Sequence, residues 1–130
     1  MTWKFHGRVP NHLLAEHYRA IDPDLFLTAS STEGGAPVSI QEVFSLGVPA
    51  IGTAAGGIPE LIEHGLTGLL LPENTTAEQL TKAIDTYYNS TSAEKAAMSA
   101  AARELWERCF DAEKNAKTFV ENLQSLLQES

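Results

Sequence analysis

The sequence predicts an α/β domain: a parallel sheet of about four strands flanked by helices, followed by a helical C-terminal third. Three observations lead there. Short apolar runs alternate with helical patterns over residues 1–72, all nine glycines and all six prolines fall within Gly7–Pro72, and residues 73–130 contain neither. Glycine and proline punctuate short elements with tight turns, and their absence leaves room for long helices. Strand–helix–strand alternation is the pattern of βαβ units around a parallel sheet. Short strands with little polar alternation suit a sheet covered on both faces. A chain of 130 residues is long enough to bury a core and is read as one domain, 1–130, with a sheet core over 1–72 and helices over 73–130.

In chain order, Trp3–His6 reads as the first strand. Asn11 caps a helix running to about Ile21, and Asp24–Thr28 (DLFLT) is the second strand. Ser39 opens a helix to Leu46 that is ended by Gly47 and Pro49, and Ala50–Ala54 (AIGTA) is the third strand. Pro59 sits in the first turn of a short helix ended by Gly65, and Gly68–Leu71 (GLLL) is the fourth strand. Thr76–Gln79 fits a capping box and opens a helix burying Leu80, Ala83, Ile84, Tyr87 and Tyr88. Thr91–Glu94 does the same for a helix reaching about Arg108. Asp111 caps a last helix whose Ala112, Ala116, Phe119, Val120, Leu123, Leu126 and Leu127 fall on one face, a stripe that must rest on the sheet or on a partner.

Composition narrows the function. Hydrophobic residues at 43% and charged residues at 20% describe an ordinary globule. No apolar run is long enough to span a membrane, and MTWKFHGRV lacks the apolar core of a signal peptide. A net charge of −8 argues against nucleic-acid or anionic-membrane partners. The lone Cys109 excludes an internal disulfide and a cysteine zinc cage. No histidine pair has metal-binding spacing, since His12 and His17 are five positions apart. A cytoplasmic protein with a small-molecule or protein partner, and with no metal, is the expectation.

The candidate site is Ser30–Gly57, SSTEGGAPVSIQEVFSLGVPAIGTAAGG. It leaves a strand, passes a glycine-containing loop and enters a helix. In an open α/β sheet that strand-end crevice is where ligands bind, because loop N–H groups point into it. Glu33 precedes the loop and Glu42 follows it. A carboxylate accepts two hydrogen bonds from a vicinal diol, so acids beside peptide amides suit a ligand carrying both hydroxyls and phosphates. Plainer roles stand beside this. Ser39-x-x-Glu42 is itself a capping box, Glu33 fits an exposed loop carboxylate, Gly34-Gly35 fits a turn, and Gly56-Gly57 permits positive φ before the next helix. There is no phosphate-loop or dinucleotide fingerprint.

The motifs S-x-x-E-G, P-V-S-I-x-E-x-x-x-x-G-V-P, G-G-I-P-E-L-I and G-L-T-G-L-L-L-P, in this order and spacing, closely resemble glycosyltransferase family 4, of the GT-B fold. The resemblance runs from about Phe5 to Leu127 and covers the latter half of that family's C-terminal, Rossmann-like donor-binding domain. It implies the nucleotide-sugar-binding portion of a retaining transferase, with the nucleotide sugar as substrate and no cofactor. By resemblance Glu33 meets donor-sugar hydroxyls, the segment Gly34, Gly35, Ala36, Pro37 and Val38 approaches the diphosphate or sugar, and Glu42 holds the ribose diol. Gly7, Arg8 and Val9 border the nucleobase. Gly56, Gly57 and Glu60 match a second loop.

Two departures matter. Eight residues separate Glu33 from Glu42, one more than the family's acidic pair has, so the extra residue lies within Gly34–Ala36. The family's acceptor domain and the basic pair that meets the diphosphate have no counterpart here, and Lys4, Arg8 and Arg19 are the only basic residues among the first eighty. The chain is therefore expected to bind donor but to transfer no sugar alone. The alternative is a binding or interaction subunit that needs a partner polypeptide. With its sheet neighbours missing, Trp3–His6 either docks beside Asp24–Thr28 or leaves a gap that favours a partner or a homo-oligomer.

Overall fold

The computed structural model describes residues 2–128; residues 1 and 129–130 of the expected domain lie outside the described residues. The elements are α1 (Asn11–Ile21), β1 (Phe26–Thr28), α2 (Val38–Phe44), β2 (Ala50–Thr53), α3 (Ile58–Leu61), β3 (Gly68–Leu71), α4 (Ala77–Tyr88), α5 (Ser92–Cys109) and α6 (Ala112–Gln128). The sheet is parallel and runs β1-β2-β3, with Phe26 opposite Ala50 and Ala50 opposite Gly68.

Central β2 is buried along its whole length. Ala50 packs with Ile40, Val43 and Phe44 of α2, Ile58 and Leu61 of α3, and Ala102 and Leu105 of α5. Ile51 turns to the opposite face, against Ala83 and Tyr87 of α4. Alternation of side chains along one strand thus builds two cores, which explains why AIGTA carries no polar alternation. The Tyr87 hydroxyl ties α4 to the chain ahead of β1 by donating to the Asp24 carbonyl at 2.6 Å. Ser99 of α5 donates to the Gly47 carbonyl at 2.5 Å, and Arg103 donates to the Ser45 carbonyl, so α5 is fastened to the end of α2.

Three of the four expected strands form. Trp3–His6 lies in irregular backbone, with Trp3 83% and Phe5 88% exposed. An alternating pattern creates a strand only where a neighbouring backbone pairs with it, and this segment has none. Trp3 stacks edge-on against Phe5, and His6 against His17 of α1.

The capping boxes at Thr76–Gln79 and Thr91–Glu94 are both present, and Asp111 Oδ1 accepts from the N–H groups of Glu113 and Lys114. Two other expected caps are corrected. Helix α1 starts at Asn11 with Pro10 at its N-cap, and α2 starts at Val38 with Pro37 at its N-cap; neither has a side-chain cap. Proline's fixed φ and missing N–H suit a helix start, and both prolines set the boundary ahead of the polar residue that appeared to set it. The short helix over Pro59 ends at Leu61, ahead of Gly65. On α4, Ala83 and Tyr87 are buried as expected, but Tyr88 is 77% exposed and lies under the Lys95 ammonium. No side chain of α6 is buried among the described residues: Phe119 is 63% and Leu127 77% exposed, so the apolar stripe does not rest on the sheet.

Candidate functional site

The carboxyl ends of β1 and β2 carry the loops 29–37 and 54–57, which are pressed together. The Thr53 hydroxyl, at the end of β2, donates to the Ser30 carbonyl at 2.5 Å. The Gly57 N–H donates to the Gly35 carbonyl at 3.1 Å. A Cβ on Gly56 would collide with the Glu33 carbonyl, and one on Gly57 would sit 2.7 Å from the Ala36 nitrogen. Gly56 also has φ +51, the left-handed region that favours glycine. The G-G pair therefore serves both a turn and a close approach of two backbones.

On the other side of this contact the first loop is open. Gly34, Gly35 and Ala36 are exposed, and nothing lies within 4 Å of where a Cβ on either glycine would be. Their three N–H groups make no hydrogen bond among the described residues. Glu33, at the base of the loop, is half-buried. Pro37 is half-buried at the head of α2, Val38 follows it exposed, and Glu60 of α3 is exposed.

Glu42 lies one turn inside α2, past the capping positions. The capping role is therefore ruled out for this carboxylate: no side chain caps α2, and Glu42 reaches α1 instead. The Asn11 Nδ2 amide donates to Glu42 Oε1 at 2.9 Å. Asn11, Tyr18, Glu42 and Ser45 line a cavity of about 220 Å³ between α1 and α2. Burial raises the pKa of the Tyr18 phenol, and the Glu42 charge raises it further. Gly7 and Arg8 are exposed and Val9 is half-buried in the irregular segment two to four positions ahead of α1, and none of the three lines the cavity.

Glu33 and Glu42 thus flank one loop–helix junction, but only Glu42 lines this cavity. Roomier hollows lie elsewhere. One of about 340 Å³, lined by Leu69, Leu71 and Ala83 among others, sits between β3 and α4. Another of about 270 Å³ lies at the amino ends of the strands, beside Asp22, Asp24 and Lys95. The second lies away from the carboxyl ends of the strands, and the first reaches Leu71 and Pro72 at the end of β3 but none of the residues of loops 29–37 and 54–57. Among the described residues no three His, Cys, Asp or Glu side chains are grouped to hold a metal ion. No helix of the described residues is long and apolar enough to cross a membrane.

Sequence inspection missed the part that Asn11 and Tyr18 play here. Thirty-one positions separate Asn11 from Glu42, and no local spacing links them; the one available signal was Pro10, which takes the N-cap position and frees Asn11 for another partner.

The family model for "Glycosyl transferases group 1" matches residues 2–105. This chain belongs to that family. A group 1 relative from Escherichia coli (strain K12), WcaL, a glycosyltransferase assigned to colanic acid biosynthesis, is 35% identical over 112 residues, covering 82% of this chain and 26% of the relative. Sucrose-phosphate synthase from Thermosynechococcus elongatus superposes with a TM-score of 0.78 at 27% identity, over 98% of this chain and 31% of that one. The Anabaena protein HepE, solved in complex with UDP, superposes with a TM-score of 0.66 at 30% identity, over 78% of this chain and 28% of that one. HepE has also been solved with UDP-glucose. The group 1 chain described here spans roughly a quarter to a third of the length of these relatives, and its fold is that of GT-B enzymes.

Proposed function

We propose that this chain is the donor-binding portion of a retaining, family 4 glycosyltransferase that moves a sugar from a nucleotide sugar to an acceptor. The observation that carries this is the exposed Gly34–Ala36 loop. Its three N–H groups have no acceptor among the described residues, and the contact with Gly56-Gly57 holds it against the sheet. Unpaired peptide amides fixed before ligand arrives are what an anionic group binds with least reorganisation. The diphosphate lies against these amides, Glu33 takes donor-sugar hydroxyls, Glu42 takes the ribose diol, and Gly7-Arg8-Val9 borders the base. The likeness to HepE, solved in complex with UDP and with UDP-glucose, supports a nucleotide sugar as the ligand. Gly56 and Gly57 act on the ligand through the loop they support, and Glu60 stands at the rim.

A departing nucleoside diphosphate gathers negative charge, which fixed cations stabilise. Arg8 belongs to the proposed base subsite, and the two carboxylates assigned to the same donor site, Glu33 and Glu42, oppose its charge. The chain by itself therefore binds donor without turning it over, and the missing cations and acceptor site come from an acceptor domain or a partner subunit. The exposed stripe of α6 favours the alternative of a non-catalytic binding or interaction subunit, and equally allows a homo-oligomer. Either form works in the cytoplasm, with no metal.

Calorimetry with UDP, GDP, ADP and their glucose conjugates tests this. At least one is expected to bind, with the same affinity in the presence of EDTA, and Glu42→Ala is expected to weaken it without lowering the melting temperature. Glu33-dependent sugar transfer by this chain alone would overturn the inactive assignment. Absence of binding to every nucleotide would overturn the donor-site assignment.

A further inference from the structure

A carboxylate on a helix surface samples several rotamers, and holding one of them for a ligand costs conformational entropy at the moment of binding. Glu42 is restrained in advance. Asn11 donates to its Oε1 at 2.9 Å, and among the described residues this is the carboxylate's only hydrogen bond. We propose that Asn11 is a positioning residue for nucleotide binding, presetting the Glu42 carboxylate so that Oε2 is left to accept from the ribose hydroxyls. This rests on the donor-site assignment above, which places the ribose at Glu42.

The chemistry of the pair fits the role. A neutral amide donor leaves the full negative charge on Glu42, whereas a Lys or Arg at position 11 would form an ion pair and compete with the hydroxyls. Asn11 and Glu42 line the same 220 Å³ cavity. The pKa of Tyr18, on that cavity's wall, is raised in part by the charge on Glu42. A structural purpose is poorly served by this bond. Asn11 is exposed, Glu42 is half-buried, and α1 buries no side chain among the described residues. Such a bond adds little to stability in water, yet it crosses from the segment bordering the proposed base subsite to the helix bearing the diol acceptor.

The test is calorimetry on the whole chain with UDP, GDP and ADP, taking the tightest of these forward with its 2′-deoxy analogue. Asn11→Ala is expected to weaken the ribonucleotide about tenfold, the loss of one hydrogen bond to a charged group. Affinity for the deoxy analogue is expected to change less, so discrimination between the two falls while the melting temperature holds. Asn11→Asp keeps the shape but sets a like charge beside Glu42, and is expected to weaken binding at least as much. In a Glu42→Ala background, Asn11→Ala is expected to cause no further loss. An additive loss there would overturn the proposal, because Asn11 would be acting without Glu42. If Glu42→Ala weakens binding and Asn11→Ala does not, the positioning role falls and the donor site stands. If no nucleotide binds, or if Glu42→Ala binds normally, the donor-site assignment fails and takes this proposal with it.

Discussion

Replacing Gly56 by alanine probes the contact that holds the candidate site together, and four glycines allow its cost to be separated into parts. Gly65 has φ +80 with nothing within 4 Å of a new Cβ, so Gly65→Ala isolates the dihedral penalty. A left-handed non-glycine residue costs about 1–2 kcal/mol, and the stiffer unfolded chain returns about 0.4–1 kcal/mol. The net loss is about 1 kcal/mol. Gly57 has no positive φ, but its new Cβ would sit 2.7 Å from the Gly35 carbonyl carbon. Gly57→Ala therefore isolates the steric penalty, about 1–3 kcal/mol of overpacking, plus about 1 kcal/mol if the Gly57–Gly35 hydrogen bond breaks. Gly56 carries both penalties, and its Cβ would meet the Glu33 backbone, which cannot swing aside as a side chain can. A loss of about 2–4 kcal/mol follows. Gly34, open and without positive φ, is expected to accept alanine within about 0.5 kcal/mol. Urea unfolding followed by circular dichroism reads the series, since with a slope near 2 kcal/mol/M a loss of 3 kcal/mol moves the midpoint by about 1.5 M. A Gly56→Ala protein no less stable than Gly65→Ala would refute the reasoning, because the two loops would then not be in contact.

Further outcomes follow from the core and from the titrating groups. Phe44→Ala empties a fully buried position between α2 and the sheet and is expected to cost about 3–5 kcal/mol by the same urea assay. Tyr87→Phe removes the hydroxyl that donates to the Asp24 carbonyl, at a cost of about 1 kcal/mol. Burial, with the Asp24 charge adding to it, raises the pKa of Tyr87 above its ordinary 10.0. Its folded-state contribution is complete below pH 10.0 and lost as pH rises through the higher value. Alkaline denaturation curves of wild type and Tyr87→Phe should therefore converge. Glu94 moves the opposite way: the Thr91 backbone N–H and hydroxyl bond to its carboxylate and hold its pKa below the ordinary 4.5. Its contribution is full above pH 4.5 and lost as pH falls through the lower value, so Glu94→Gln should flatten the acid limb of the stability profile.

Several local signals contained within one segment survived folding. Both capping boxes need four consecutive residues and both formed. The strand GLLL lies where its residues place it, at Gly68–Leu71. Local signals failed where a second segment decided the outcome. Trp3–His6 has a strand's alternation but no edge to pair with. Ser39-x-x-Glu42 has the letters of a capping box, but Pro37 starts the helix early enough to carry both residues past the capping positions. The stripe on α6 has the spacing of a buried face and remains exposed, because spacing says which residues share a face and not what covers it.

The sequence by itself determined the α/β class, the parallel sheet under a helical C-terminal part, and the membership of the group 1 glycosyltransferases, since ordered motifs and turn residues are local properties of the chain. Tertiary structure alone decided that Gly56-Gly57 supports the Glu33–Ala36 loop and that Asn11 holds Glu42. Both are contacts between residues more than twenty positions apart, and the chain must close a loop before any periodicity or spacing can bear on them.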